Sequence, residues 1–599
     1  MIRIIKKFSK ILNKQQKVRV VIIGIMMIVG AFLETLGVGL ILPLVSAITT
    51  PNLIEENKYA RLVCEVLDIH TTRTFMIVVI VALIFIYTFK NIYLFIEYYV
   101  QYRFICNNRF GVQRRLMETY LKRSYEFFLS ADSGNIMRII TDDARQTFLL
   151  LSTVLSFFTE ATVSAALLLT IIVTDPVMAF LLAIILGMLM LIIGKIIKPQ
   201  LRKAGLNYQK NTGKMNKWLL QSISGIKEIK VERKEEYFLE QFSKYGKEAI
   251  ESEKMNSVLG TVPRLSIEAL GVSSMLGIIA FMMFKGREVD TLLPQLAAFA
   301  MAAVRLMPSV NRMTAALNTM AYQEPALDKM LEHLSVTDRW EQEERREMSN
   351  CKIKKMTEKV DKGKSKGATI RIDRVLIEDK VELSNITYFY PNTEKTVLQN
   401  ASMEIPIGKS VGVVGASGSG KTTAIDILLG LLPPQEGQVL ADGIDIQEDY
   451  VGWLSQIGYI PQMIFMLDDT IRANVAFGLP IDEVNEEQVW KAIEEGQLGD
   501  FVRSLPQGLD TTIGERGVRL SGGQRQRIGI ARALYSDPEF LIFDEATSAL
   551  DNETETAIME SINSLHGKKT LIIIAHRLQT IEECDMVYRV EDGKISRER

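Results

Sequence analysis

Cysteine is nearly absent. Four occur in 599 residues, Cys64, Cys106, Cys351 and Cys584, scattered and with no C-x-x-C pair. That excludes a disulfide framework and a cysteine-held metal, and fits a reducing compartment or free thiols. An excess of one charge is also missing: 70 Lys and Arg against 71 Asp and Glu leave a formal net charge of −1. A general nucleic-acid binder is thereby excluded. No A-x-A cleavage site follows the basic start "MIRIIKKFSKILNKQQKVR". The apolar run after it is far longer than a signal-peptide core, so the expectation is a retained first membrane helix.

What is present is segregated. Residues 18–323 hold long apolar runs such as "VVIIGIMMIVGAFL" and "MAFLLAIILGMLMLIIG", whereas residues 380–599 read as a soluble α/β protein. A membrane span needs about 20 apolar residues. Six candidates occur, at roughly 18–48, 74–104, 147–174, 176–199, 257–284 and 290–322. Several exceed the bilayer thickness, so they are expected to continue as helices beyond it. Lys and Arg crowd the N-terminus and the 103–145 and 195–255 segments, while the alternate loops are short or less basic. The positive-inside rule puts both termini and the two long connections in the cytoplasm. Between the first two spans, Ile54, Tyr59, Leu62, Val63, Val66 and Leu67 fall at helical spacing. They predict an amphipathic helix at the outer surface, lying on lipid or on the protein's own loops. The expected division is a transmembrane domain over 1–325, a charged linker over 326–378 and a nucleotide-binding domain over 379–599.

"VGVVGASGSGKTTAIDILLG" carries G-x-x-x-x-G-K-T from Gly415 to Thr422, after a β-branched run and before a helical pattern. In Gly415, Ala416, Ser417, Gly418, Ser419 and Gly420 the backbone N–H groups can curl around phosphates, and the helix start adds positive potential there and at Thr423. Lys421 would reach the β/γ-phosphates, and the Thr422 hydroxyl would bind Mg²⁺. "FLIFDEATSALD" is an apolar strand ending in two carboxylates. Beside a P-loop, Asp544 would hold Mg²⁺ through water, and Glu545 would orient the attacking water as a base.

"LSGGQRQR", Leu520 to Arg527, resembles the signature of ATP-binding cassette (ABC) proteins, and the other cassette elements follow in order. The resemblance covers about 379–599 and implies ATP and Mg²⁺ as cofactors. It implies that Tyr390 stacks on adenine, that Gln462 is the Q-loop residue touching the metal, that Asp551 lies in the D-loop and that His576 is the switch histidine. In that family ATP is sandwiched between one P-loop and another chain's signature, here Ser521, Gly522, Gly523 and Gln524. One copy of each per chain therefore implies a homodimer with two composite sites. Six spans followed by one cassette resemble a half-size ABC exporter: an α-helical six-span transmembrane domain, then an α/β P-loop domain, in the bacterial cytoplasmic membrane. Phe127–Ala144 and Leu219–Phe238 look like its coupling regions.

Within exporters the membrane half resembles the flippases of lipid-linked oligosaccharide in bacterial protein N-glycosylation, through "RLMPSVNR" and "VPRLSIEALG". That resemblance implies an anionic lipid-linked substrate attracted by buried cations. Arg305 and Arg312 lie two helical turns apart on one face. Counted from the span ends at 1.5 Å per residue, Lys90, Arg264 and Arg305 fall at one inner-leaflet level, with Arg312 nearer the cytosol. Lys90 stands where the family has an arginine. The competing reading pairs these cations internally with Glu34, Glu160 or Glu268. Two functional alternatives also stand: export of hydrophobic drugs or peptides, and a nonhydrolytic ATP-gated channel or regulator.

Overall fold

The structure is a computed structural model describing residues 1–39, 72–174, 176–284, 307–335, 377–391, 393, 395–545, 562, 564–575 and 581–599. The expected outer helix at 54–67, Arg305, Asp551 and His576 lie outside the described residues. The chain forms two compact units.

The first unit is helical. Helix α1, Ile2–Ile11, is amphipathic, with Ile4, Phe8 and Ile11 buried. Lys7 anchors it, donating from Nζ to Glu324 Oε1 at 2.6 Å and pairing with Asp328 Oδ1 at 2.5 Å. The chain then breaks at Leu12, which is extended (φ −84°, ψ 132°). Asn13 and Gln16 cap one another reciprocally: Asn13 N–H donates to Gln16 Oε1 and Gln16 N–H to Asn13 Oδ1, both at 2.8 Å. This is the capping-box geometry with amides in place of Ser and Glu. It starts α2, Lys14–Gly39, the first span.

Four more long helices follow: α3 (Thr72–Leu121, 50 residues), α6 (Ala144–Thr174, 31), α7 (Pro176–Ser224, 49) and α9 (Glu235–Phe284, 50). Fifty residues extend about 75 Å, more than twice the ~30 Å hydrocarbon core. The spans therefore continue as legs, as their length and polar ends foretold. The legs turn through short helices: α4 (Tyr125–Ser130) and α5 (Ser133–Arg138) at one tip, α8 (Ile226–Glu232) at the other. Asp132 caps α5 by accepting from the N–H groups of Gly134 and Asn135. A β-carbon on Gly134 would sit 2.6 Å from the Lys217 backbone nitrogen. Glycine here lets α5 lie directly on α7. A buried ion pair fixes the junction: Arg138 donates to Asp143 at 2.6 Å, and Gln209 on α7 donates to the same carboxylate at 3.1 Å.

The last helix, α10, spans 307–335. It runs ten residues beyond position 325, where the linker was expected to begin, because Leu327, Met330 and Leu334 continue a buried apolar face. The charge of that stretch occupies only the other face, which reads as a linker by composition.

The second unit, to which Ser124–Leu129 also belongs, holds two sheets. The antiparallel sheet is ordered β2-β1-β4-β5, with β1 Lys380–Phe389, β2 Thr396–Pro406, β4 Glu436–Ala441 and β5 Ile444–Asp445. The second is ordered β10-β9-β3-β8-β7-β6. In it β3 (Ser410–Val414), β6 (Ile457–Ile460), β7 (Phe540–Asp544), β8 (Thr570–Ile574) and β9 (Met586–Glu591) run parallel, with β10 (Lys594–Arg597) antiparallel at one edge. Strands β3, β7 and β8 are buried throughout. That explains their continuous rather than alternating apolar sequence. Their carboxyl ends emerge together, which is where ligands bind in open α/β sheets.

Candidate active site

The loop after β3 leads into α11, Lys421–Leu428, whose N-cap is Gly420. Gly415, Gly418 and Gly420 have φ of +154°, +77° and +108°. A β-carbon on Gly415 would lie 2.4 Å from the Val590 carbonyl oxygen and 2.6 Å from Ser419 Oγ. Lys421 is buried, and its ammonium donates to the carbonyls of Gly415 and Ala416, both at 3.0 Å. Ser419 Oγ is buried with no hydrogen-bond partner. A curled loop with an unsatisfied hydroxyl, and a lysine satisfied only by neutral carbonyls, fits a polyphosphate: anionic oxygens would answer both groups.

Around this cradle stand the carboxylates. Asp544 ends β7 and is buried, and Tyr459 of β6 donates its hydroxyl to Asp544 Oδ2 at 3.2 Å. Burial first, then Asp544 and Asp426, push the Tyr459 phenol up, so it stays protonated as a donor. Glu545 follows at φ +50°, a left-handed conformation that non-glycine residues adopt at a cost and mainly at functional positions. Gln462 Nε2 donates to Glu545 Oε2 at 2.7 Å. The Thr422 hydroxyl, the Gln462 amide and the Asp544 carboxylate are hard-oxygen donors of the kind Mg²⁺ takes alongside phosphate and water.

Tyr390 packs edge-on against Tyr388, with ring centroids 5.2 Å apart, and its hydroxyl lies 2.9 Å from Thr423 Oγ1. The aromatic is thus tethered beside the start of α11, where the nucleotide's phosphates would enter. At the signature, Ser521 caps α12, Gly522–Leu534, in a capping box with Gln524. Gly522 is exposed and Gly523 buried in the first turn of that helix, where the leading backbone N–H groups have no partner within the helix.

Three residues escaped the sequence reading. Tyr459 lies in "IGYIPQ", three before Gln462, where an aromatic with a polar tip was the only signal. Arg532 donates to the carbonyls of Asn474 and Phe465, both at 2.8 Å, and lies over the Phe477 ring. It ties α12 to the segment after Gln462, and burial lowers its pKa to about 10. Asp426, on α11, is the third. Burial, and then Asp544, push its carboxyl up from the usual 3.8 to about 6. It also raises the phenol of Tyr125 from the leg tip, after the larger effect of that residue's own burial. Because the folded protein holds this proton more tightly than the unfolded chain, stability falls as pH rises from about 4 through about 6. Asp426→Asn is therefore expected to raise the melting temperature at pH 7.5 more than at pH 5. An equal shift at both pH values would contradict this.

In the membrane unit the candidate cations part company. Arg312 donates from Nε to Glu160 Oε1 across α10 and α6, and from Nη2 to Ser309 Oγ at 3.5 Å. Of the two readings open for Arg312, cargo cation or internal pair, the structure shows the pair with Glu160. Arg264, beside Pro263 in α9, is exposed and has no ion pair among the described residues. Glu268, one turn on, is exposed and does not pair with it either. Lys90 is half-buried on α3, with its ammonium 4.9 Å from the Tyr87 ring centroid. The Glu34 side chain lies outside the described residues.

Long apolar helices with cytoplasmic legs, joined in one chain to a phosphate cradle, strand-end carboxylates and a capped signature helix, define an ATP-hydrolysing membrane transporter. Comparison with known proteins sets the family. Residues 20–284 match the ABC transporter transmembrane region, and residues 398–548 match the ABC transporter family. An ATP-dependent lipid A-core flippase of Photorhabdus laumondii is 31% identical over 494 residues, 81% of this chain and 79% of its own length. The protein of that name from Salmonella typhimurium is 30% identical over 487 residues, 81% and 78% of the two chains. The chain belongs to the ABC transporters, as a half-size exporter. A bacterial Atm1-family ABC exporter with ATP bound superposes with a TM-score of 0.73 at 22% identity, covering 98% of this chain and 95% of that one. This likeness bears out the expected fold class: a helical exporter domain, then a P-loop domain. ATP hydrolysis coupled to transport across the cytoplasmic membrane follows from the family, and with it the nonhydrolytic channel or regulator falls away.

Proposed function

We propose that two identical chains form a flippase that moves an anionic amphipathic lipid, a polyprenyl-pyrophosphate-linked oligosaccharide, from the inner to the outer leaflet. The observation that carries this reading is the state of Arg264 and Lys90: cations within apolar helices, neither with a carboxylate partner among the described residues. An unpaired arginine at span depth costs about 2.5–3.5 kcal/mol on insertion scales and is retained mainly where it faces water or a ligand. A pyrophosphate with two negative charges is the complement such cations select, and Arg305 would add to them at the same level. Asp551 and His576 would join Ser521 and Gly523 of the opposing chain in closing the ATP sandwich. Lys421, Thr422, Gln462 and Asp544 would hold the Mg²⁺-bound phosphates.

The relatives' names favour a second cargo, lipid A-core. The experiment that separates the readings is flipping by purified protein in proteoliposomes carrying either lipid. The expected result is transport of the pyrophosphate-linked lipid that falls at least tenfold in Arg264→Ala, with basal ATP hydrolysis retained. Transport of the lipid A-core type alone would replace the cargo. Export of hydrophobic drugs or peptides, unaffected by Arg264→Ala, would replace the class.

A further inference from the structure

A second feature of the membrane unit bears on neither ATP nor the arginines of the apolar helices. Helices α1, α2 and α6 enclose an apolar groove of about 570 Å³. Phe8 of α1, Leu12 just after it, Gly24 and Ile28 of α2, and Val154 and Phe158 of α6 line it. The wall residues Val21, Ile25, Ile28 and Phe158 are exposed, so the groove opens on the face that meets hydrocarbon. Its floor is open at Gly24, where an added β-carbon would meet no atom within 4 Å. Glycine inside a helix costs about 1 kcal/mol relative to alanine. Packing against the protein's own atoms does not explain that cost here.

Among the described residues, Lys17 is the one charged residue lining the groove. It is exposed and has no ion pair among the described residues, and Lys10 and Lys14 beside it are likewise exposed and unpaired. Lys7 differs, being consumed by Glu324 and Asp328. Helix α1 thus buries one apolar stripe and presents cations on the other, the pattern of a helix lying at the cytoplasmic interface, where basic residues collect anionic lipid. From Lys17 to Ile28 the groove follows α2 for about 16 Å, and one leaflet's hydrocarbon is about 15 Å deep. The groove is as long as a leaflet is deep, apolar along its length and cationic at its cytoplasmic end.

We propose that this groove holds one acyl chain of an anionic glycerophospholipid of the cytoplasmic leaflet, with the headgroup phosphate at Lys17. The chain excludes lipid-packing voids between α1 and the first span. The ion pair sets a preference for anionic over zwitterionic lipid.

Native mass spectrometry of the full-length protein, titrated with phosphatidylglycerol or phosphatidylcholine, tests this. Phosphatidylglycerol should be retained at least tenfold more tightly at one site. Lys17→Glu should abolish that preference. Gly24→Phe, whose ring fills the groove, should lose one bound lipid of either kind, whereas Gly24→Ala should not. Unchanged phosphatidylglycerol retention in Lys17→Glu would overturn the assignment, and that surface variant reports even if Gly24→Phe fails to fold. A Gly24→Phe variant that alters self-association rather than lipid count would give the groove to a second copy of the chain, and would overturn it equally.

Discussion

Glu545→Gln should lower ATP turnover by about 10²–10⁴-fold while leaving nucleotide binding intact, the range typical for loss of a general base. The amide keeps the volume of the side chain and still offers an oxygen to Gln462 Nε2, which the carboxylate accepts from at 2.7 Å in the wild type. What it loses is the ability to take a proton from water. The phosphate cradle is a separate piece of backbone, from Gly415 to Lys421, and is untouched. Phosphate release and nucleotide affinity should therefore separate, with the variant held in its ATP-bound form. Turnover within tenfold of wild type would show that Glu545 is not the base.

Gly415→Ala should abolish ATP binding, with affinity falling at least a hundredfold, about 2.7 kcal/mol. Two independent costs act there. The φ of +154° suits glycine alone. The new methyl would also press on the Val590 carbonyl at 2.4 Å, and backbone of the neighbouring strand end cannot swing aside as a side-chain tip can. Gly418→Ala is the matched control. Its φ of +77° is also left-handed, but a β-carbon meets nothing within 4 Å, so only the conformational cost applies. Titration of both variants with a fluorescent nucleotide should rank them in that order. Equal losses would mean that strain, not the clash, governs the loop.

The ATP site was legible in the sequence because its parts are local. A P-loop needs glycines at fixed offsets between a strand and a helix, and an apolar strand ending in Asp544–Glu545 declares its own position. Sequence was mute where partners are distant. Tyr459 reaches Asp544 only because β6 and β7 lie side by side in parallel, and 85 residues separate the two. The cations make the same point. Glu268, one turn from Arg264, was the nearest candidate partner along the chain, yet the pair that forms is Arg312 with Glu160, 152 residues apart. Helix rotation in the bundle decides this, and it is set by packing that no short window contains. The break between α1 and α2 was readable, since Asn13 and Gln16 stand at capping-box spacing. The extension of α10 past position 325 was readable as well, through the spacing of Leu327, Met330 and Leu334, had charge not suggested a linker.

The account rests on the unpaired span cations meeting a negatively charged lipid head. The most direct measurement is leaflet-resolved flipping by the wild-type protein in proteoliposomes, comparing a polyprenyl-pyrophosphate-linked glycan with a neutral analogue of the same chain and sugar. ATP-dependent movement of the pyrophosphate lipid, at least tenfold faster than that of the neutral one, is the predicted result. Equal rates for the two would contradict it, because a site built from Arg264 and Lys90 has no means of ignoring charge.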